Sequence, residues 1–308
     1  MNSAFLFPGQ ASQKVGMGKD LYDNTELGKS YFNQANDIMG EDIQSIIFEG
    51  PNELLKQTKY TQPAIYIVSV ILGELLLEQG ATPKAAAGHS LGEYSALAIA
   101  GAFDFATGLD LVKLRASSMY ETGQTQNGAM AAVIGSSPDD ILRLCAKATT
   151  VDEVVVPANY NSNGQIVISG DFAAVHRAME LAREYGAKKV VQLNVSGAFH
   201  SPLMKPAREA LAKKLCKVEI HDTHFPVYIN VDAAPVKSGA SIKDGLERQL
   251  ENPVRWDETI LAMINDGIDT FFEVGPGKVL QGLNRRINRD IPISGVEMIE
   301  DIRNFNHV

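Results

Sequence analysis

The 308-residue sequence is poor in cysteine and histidine and has a single tryptophan. Its two thiols, Cys145 and Cys216, are too few for a disulfide framework, and no CxxC pair or Cys/His cluster offers a zinc ligand set. Positive charge is also scarce: 28 Lys and Arg stand against 37 Asp and Glu, a net charge of -9. This argues against a broadly basic nucleic-acid binder, though a local basic patch remains open. The longest apolar-rich stretch, 64–77, is broken by Ser69, Gly73 and Glu74 and falls short of the ~20 residues that cross a bilayer. No basic residue precedes the short apolar run at the N-terminus, so no signal peptide is expected. The expectation is a cytoplasmic protein with no nucleic-acid or membrane partner, no metal and no permanently bound cofactor. What is present, 45% hydrophobic and 21% charged residues, is the composition of an ordinary globular chain.

No internal repeat or low-complexity tract interrupts that chain. The segment 4–7 reads as a buried strand stopped at Pro8-Gly9. Residues 61–77 read as a helix with Pro63 in its first turn. Small residues at 83–87 lead into Gly88-His89-Ser90-Leu91-Gly92, and 93–100 is helical: strand, tight turn, helix. Another amphipathic helix spans 107–120, and the polar, Gly-containing stretch 121–128 reads as a linker. Next come a strand (129–134), a helix (138–148), two strands (154–158 and 165–169), a helix (172–185) ended by Gly186, and a strand (189–194). This βαββαβ order is the split pattern of ferredoxin-like domains, so a small inserted domain is expected at 126–197. Beyond it, helices at 206–215, 244–250, 256–265 and 278–288 accompany strands at 227–230, 270–274 and 291–293. The expected fold class is α/β, with a mainly parallel sheet in a large domain made of 1–125 and 198–308.

Gly88-His89-Ser90-Leu91-Gly92 fits G-x-S-x-G. In a nucleophile elbow the serine rides a sharp strand-to-helix turn, flanking glycines avoid backbone clashes, and the following N–H can bind an oxyanion. The plain alternative is a glycine-bounded turn whose serine caps the next helix. A nucleophilic serine needs a base. His89 is adjacent and expected to point away. His176 lies mid-helix, His221 and His224 lie in a polar connection, and His307 lies at the C-terminal end. His200, in Ser196-Gly197-Ala198-Phe199-His200-Ser201-Pro202, occupies a loop where the chain returns to the large domain, a position that suits function. No Asp or Glu is picked out by spacing to orient it, and a backbone carbonyl could do so.

Further motifs accompany the serine turn. They are Phe7-Pro8-Gly9-Gln10-Ala11-Ser12-Gln13, Tyr60-Thr61-Gln62-Pro63-Ala64, Glu93-Tyr94-Ser95-Ala96, the run from Asn159 through Gly170, and Gly197-Ala198-Phe199-His200-Ser201. Gln249-Leu250, Pro253-Val254-Arg255-Trp256 and Glu273-Val274-Gly275-Pro276-Gly277 complete them. In this order they resemble malonyl-CoA:acyl carrier protein transacylases over almost the whole chain.

The resemblance implies an α/β-hydrolase-like large domain with a ferredoxin-like insert. It implies transfer of malonyl from malonyl-CoA to the phosphopantetheine thiol of acyl carrier protein, through a malonyl-serine ester, in support of fatty acid synthesis. By the same resemblance Ser90 is the nucleophile, His200 the base and acid, and the Gln249 carbonyl the group that orients His200. The N–H groups of Gln10 and Leu91 form the oxyanion hole, and Arg115 grips the malonyl carboxylate through two parallel hydrogen bonds. Gln62 and Phe199 belong to the substrate pocket, where the Phe199 ring limits room for branched acyl groups. Ala11 departs from the family's usual glycine, at a cost on the order of 1 kcal/mol if the site needs positive φ. The acidic carrier would need a local cationic surface: Lys188-Lys189, Lys205 with Arg208, Lys213-Lys214, or Arg285-Arg286 with Arg289. The rivals are a polyketide-type acyltransferase acting in trans, a serine esterase or thioesterase using Asp104, Asp110 or Asp171, and a non-catalytic carrier-binding module.

Overall fold

Ser3-Ala4-Phe5-Leu6-Phe7 is buried at every position, as a strand covered on both faces requires. In the computed structural model, which describes residues 2–305, it is the first of eleven strands; His307 lies outside the described residues. The strands are β1 (Ser3–Phe7), β2 (Ala85–Gly88), β3 (Gly128–Ile134), β4 (Val155–Ser162), β5 (Gln165–Asp171), β6 (Lys189–Gln192), β7 (Val227–Ile229), β8 (Ala234–Val236), β9 (Val254–Arg255), β10 (Thr270–Val274) and β11 (Ile293–Val296).

Six strands form one sheet in the order β11-β10-β1-β2-β7-β8. All neighbours run parallel except the edge pair β7 and β8. A hydrophobic cluster fills the space between β1 and the helix Thr58–Glu78, with Phe5, Phe7, Phe32, Tyr66 and Leu72 wholly buried. The second sheet runs β6-β3-β5-β4-β9. Helices Pro138–Ala148 and Phe172–Leu181 pack on it, completing the ferredoxin-like order. β9 comes from residues far along the chain and pairs parallel to β4, so the second sheet takes in a strand from outside 126–197.

The structure corrects several expected boundaries. The helix read at 61–77 begins at Thr58, which puts Pro63 inside it rather than in its first turn. The short helix Asn52–Leu55 leads into it, and the Thr61 hydroxyl donates to the Leu55 carbonyl at 2.6 Å. The stretch read as a linker at 121–128 is helical as far as Thr125. Gly123 permits this through tertiary contact: a Cβ there would collide with the Ser196 carbonyl. Close packing has overridden glycine's poor helix propensity. Helices Lys19–Asn24, Glu26–Met39 and Ile43–Glu49 were not foreseen. Two of their caps are ordinary, with Thr25 accepting from Gly28 N–H (2.9 Å) and Asp42 from Ser45 N–H (3.0 Å).

Candidate active site

β2 ends at Gly88, at the carboxyl edge of the parallel strands, where open α/β sheets place their sites. Ser90 follows with φ +53, ahead of the helix Gly92–Ile99. Such backbone costs a serine on the order of 1–2 kcal/mol and lifts its side chain clear of the turn. Only glycines fit beside it: a Cβ on Gly88 would fall on the Gly92 carbonyl carbon, and one on Gly92 on the Phe7 carbonyl oxygen.

His200 lies 110 residues further on and also has positive φ, +57. Its Nε2 is 2.8 Å from Ser90 Oγ. Its Nδ1 faces two carbonyl oxygens, Gln249 at 2.9 Å and Asn252 at 3.2 Å. Those acceptors select the tautomer with the proton on Nδ1, leaving Nε2 free to accept from the hydroxyl. Burial, and after it the Arg115 charge, pull the imidazole pKa down to about 3. His200 is therefore neutral near pH 7, the form a general base needs. An unfolded chain takes up that proton first, so the stability this group contributes is lost as pH falls from about 6.5 through about 3. In histidine-labelled NMR, the imidazole signal absent from His200→Ala is expected to stay neutral from about pH 8 down to about pH 4. A midpoint near 6.5 would refute the argument from burial and Arg115.

Arg115, on the helix Phe105–Thr125, is 0% exposed. Nη1 donates to Gln62 Oε1 at 2.6 Å; Nη2 donates to Gln249 Oε1 at 2.8 Å and to Ser90 Oγ at 3.0 Å. The guanidinium carbon lies 5.5 Å from the centre of the Tyr94 ring, and Nε has no partner. Among the described residues no carboxylate forms an ion pair with it. A buried cation met only by neutral acceptors is a site prepared for an anion. Gln62 is buried in the helix Thr58–Glu78, its Nε2 3.5 Å from Met119 Sδ.

Gln249 does more than its backbone role implied. Its carbonyl meets His200, its Oε1 meets Arg115, and its Nε2 donates to the Ser90 carbonyl at 3.0 Å. One residue thus touches all three, a convergence invisible in a lone glutamine near a helix end.

Gln10 and Leu91 line the same cleft as Ser90. No protein acceptor among the described residues takes either backbone N–H. Leu91 caps the helix Gly92–Ile99, whose dipole favours negative charge there. Ala11 has φ +88. Ala11→Gly is accordingly expected to stabilise the fold by about 0.5–1 kcal/mol in denaturant titration, since glycine carries no Cβ into left-handed backbone. A loss of stability would contradict this.

The cleft holds about 430 Å³. Met130 and Ala132 of β3, Val167 of β5, and Leu280 and Leu283 of the helix Val279–Ile287 form apolar walls, while Ser90 and His200 supply polar atoms. Phe199, 7% exposed, stands beside them.

Residues 4–302 match the family model described as an acyl transferase domain. A malonyl CoA-acyl carrier protein transacylase of Bacillus subtilis is 45% identical over 300 residues, covering 96% of this chain and 95% of that protein. The chain belongs to the malonyl CoA-acyl carrier protein transacylase family. Its fold matches the crystal structure of an acyl carrier protein S-malonyltransferase from Vibrio cholerae, with TM-score 0.95 and 42% identity over 99% of both chains. It also matches a malonyl-transacylase solved in complex with a type II polyketide acyl-carrier protein, with TM-score 0.93 and 39% identity over 99% of this chain and 98% of that one.

Within this transacylase fold the remaining candidates have other partners, although His89 lines the cleft. His89 Nε2 is 2.8 Å from Asn161 Oδ1, and its ring tilts against Trp256. His176 stacks on Phe172, and His224 packs against Gly101. Asp104 caps the helix Phe105–Thr125, Asp110 pairs with Lys214, and Asp171 accepts from Val154 N–H at 2.7 Å. None of these acids is a partner of His200, which leaves the esterase arrangement without its third member. Among the basic patches, Arg208 is engaged by Glu209, Glu247 and Glu251. Arg286 instead reaches the cleft wall, donating to Gln165 at 2.5 Å.

Proposed function

We infer that this chain is an acyl-carrier-protein S-malonyltransferase. It moves malonyl from malonyl-CoA to the phosphopantetheine thiol of acyl carrier protein and supplies fatty acid synthesis. The observation that carries the reading is Arg115, a buried cation without an acid partner whose Nη2 stands 3.0 Å from Ser90 Oγ. An acyl group ending in a carboxylate satisfies that cation, whereas a simple ester does not.

In this reading malonyl-CoA enters with its carboxylate on Arg115. Ser90 Oγ attacks the thioester carbon while its proton passes to His200 Nε2. The Gln10 and Leu91 N–H groups hold the oxyanion, and the Gln249 carbonyl steadies the imidazolium through Nδ1. Collapse breaks the carbon–sulfur bond, and coenzyme A leaves as a thiol with the proton from His200. A malonyl ester remains on Ser90. The carrier's thiol gives its proton to His200, attacks that ester and restores the serine hydroxyl. Gln62 steadies Arg115, and Phe199 crowds the acyl α-carbon. Coenzyme A and phosphopantetheine are substrate and carried group, and no permanently bound cofactor enters. A cytoplasmic location belongs to this reading. Among the described residues one helix, Thr58–Glu78, is long and apolar enough to cross a membrane, and 83% of its most apolar window is buried inside the fold.

The test is intact-protein mass after brief exposure to equal malonyl-CoA and acetyl-CoA, followed by peptide mapping. A malonyl adduct on Ser90 is expected. Coenzyme A release with no adduct would instead indicate a hydrolase. The likeness to the polyketide transacylase favours one second reading, service to a polyketide carrier. Offering both kinds of carrier protein and comparing transfer rates separates the two.

A further inference from the structure

Two buried polar residues behind Ser90 take no part in the chemistry above. Asn230, just beyond β7, and Glu93, in the first turn of the helix after Ser90, are both 0% exposed. Asn230 Oδ1 accepts from the Ser90 N–H at 2.7 Å, and Asn230 Nδ2 donates to the Gly88 carbonyl at 2.7 Å. One amide side chain therefore pins the two peptide groups that flank His89 and lead into Ser90. The Asn230 backbone is held in its place: its N–H donates to Glu93 Oε2 at 2.6 Å, and its carbonyl accepts from Arg255 N–H at 3.1 Å. The three bonds that join Asn230 to Gly88, Ser90 and Glu93 span 137 to 142 residues of chain.

This arrangement meets a specific need. Left-handed backbone at a non-glycine residue persists only when its surroundings over-determine it. Relaxation of the turn would swing Ser90 Oγ away from His200 Nε2, and a misplacement of about 1 Å costs on the order of 10²-fold in rate. We propose that Asn230, anchored through its backbone by Glu93, is a positioning residue that locks the strained Ser90 turn in reactive geometry. Burial pushes the Glu93 carboxyl up to about 7, against the pull of the Asn230 N–H, the Gln249 side chain and the Arg115 charge. Near neutral pH the anchor is thus partly protonated, and either form retains an oxygen that accepts from Asn230. The required property is the acceptor rather than the charge.

The inference rests on Ser90 being the nucleophile, so the wild-type adduct on Ser90 is measured first, and its absence would defeat that reading separately. The test then compares Asn230→Ala, Glu93→Leu and Glu93→Gln by rapid-quench acylation at saturating malonyl-CoA. Malonyl-CoA affinity is measured in parallel, each substitution being added to Ser90→Ala. Asn230→Ala and Glu93→Leu are expected to lower the acylation rate constant about 10²-fold, with affinity changed less than about threefold. Glu93→Gln keeps the acceptor and is expected to stay within about threefold of wild type in rate. If Asn230→Ala does not fold, the two Glu93 variants carry the comparison. An unchanged rate constant in folded Asn230→Ala or Glu93→Leu would overturn the proposal. So would a loss confined to affinity, or a Glu93→Gln rate as low as that of Glu93→Leu.

Discussion

Ser90→Ala is expected to abolish the acyl adduct and to lower malonyl transfer to the carrier by about 10⁴-fold or more, with malonyl-CoA still bound. The alanine removes the hydroxyl that the proposed mechanism uses for attack. Ser90 Oγ alone lies 2.8 Å from the neutral His200 Nε2 at the edge of the cleft. Among the described residues lining the cleft there is no cysteine to replace it, and His89 is turned toward Asn161. His200→Ala should cost a similar factor, and the double variant no more than either single one, since the pair acts as one unit. The check is single-turnover acylation with the three variants side by side. Additive losses would mean that Ser90 and His200 act separately and would break the proposed mechanism.

Arg115→Leu is expected to lower kcat/KM for malonyl-CoA by about 10²–10⁴-fold, the effect of losing two charge-assisted hydrogen bonds at roughly 1.5–3 kcal/mol each. The acetyl-CoA reaction, which places no carboxylate there, should change less than about tenfold, so that malonyl preference collapses. A further consequence concerns the base. The Arg115 charge stands second to burial in depressing His200, so its removal should move the acid limb of the acylation profile to higher pH. A bound carboxylate would offset the same charge, so malonyl should strengthen the base that acts on it. Parallel kcat/KM measurements for the two thioesters decide the matter. Equal losses for both would assign Arg115 to holding Ser90 Oγ, through the 3.0 Å bond already present, rather than to choosing the acyl group.

What could be read along the chain was what a few neighbouring residues decide. The strand–turn–helix around Ser90 was legible because glycine at 88 and 92 is a local steric requirement, and β1 because five buried residues in a row admit few alternatives. The helices Pro138–Ala148 and Trp256–Asn265 matched their expected bounds, the first by a Ser137 cap followed by proline, the second by acidic residues in its first turn. The helices between Lys19 and Glu49 were missed although Thr25 and Asp42 mark their starts. Lys19–Asn24 and Ile43–Glu49 are too short to show a period of their own, whereas Glu26–Met39 buries Gly28, Phe32, Ala35 and Met39 at helical spacing, a signal the sequence did carry.

The site residues were named largely through resemblance, and the physics behind them became visible only in three dimensions. A serine at 90, an arginine at 115, a histidine at 200 and a glutamine at 249 have no spacing that predicts contact. Tertiary packing decides it: β2 leads into the Ser90 turn, while Arg115 comes from the helix Phe105–Thr125, His200 from the segment after β6 and Gln249 from the end of the helix Gly239–Gln249. The sequence by itself determined where the chain must turn, which segments must be buried, and that a serine would ride a strained elbow. Those outcomes follow from backbone sterics and short-range patterning, which act over a few residues. Only the tertiary structure decided that Arg115 is fully buried with no carboxylate partner among the described residues, that burial and Arg115 pull the His200 pKa down, and that Asn230 stands behind Ser90. Burial and hydrogen bonds across more than a hundred residues depend on how the sheets pack, and no local pattern encodes that packing.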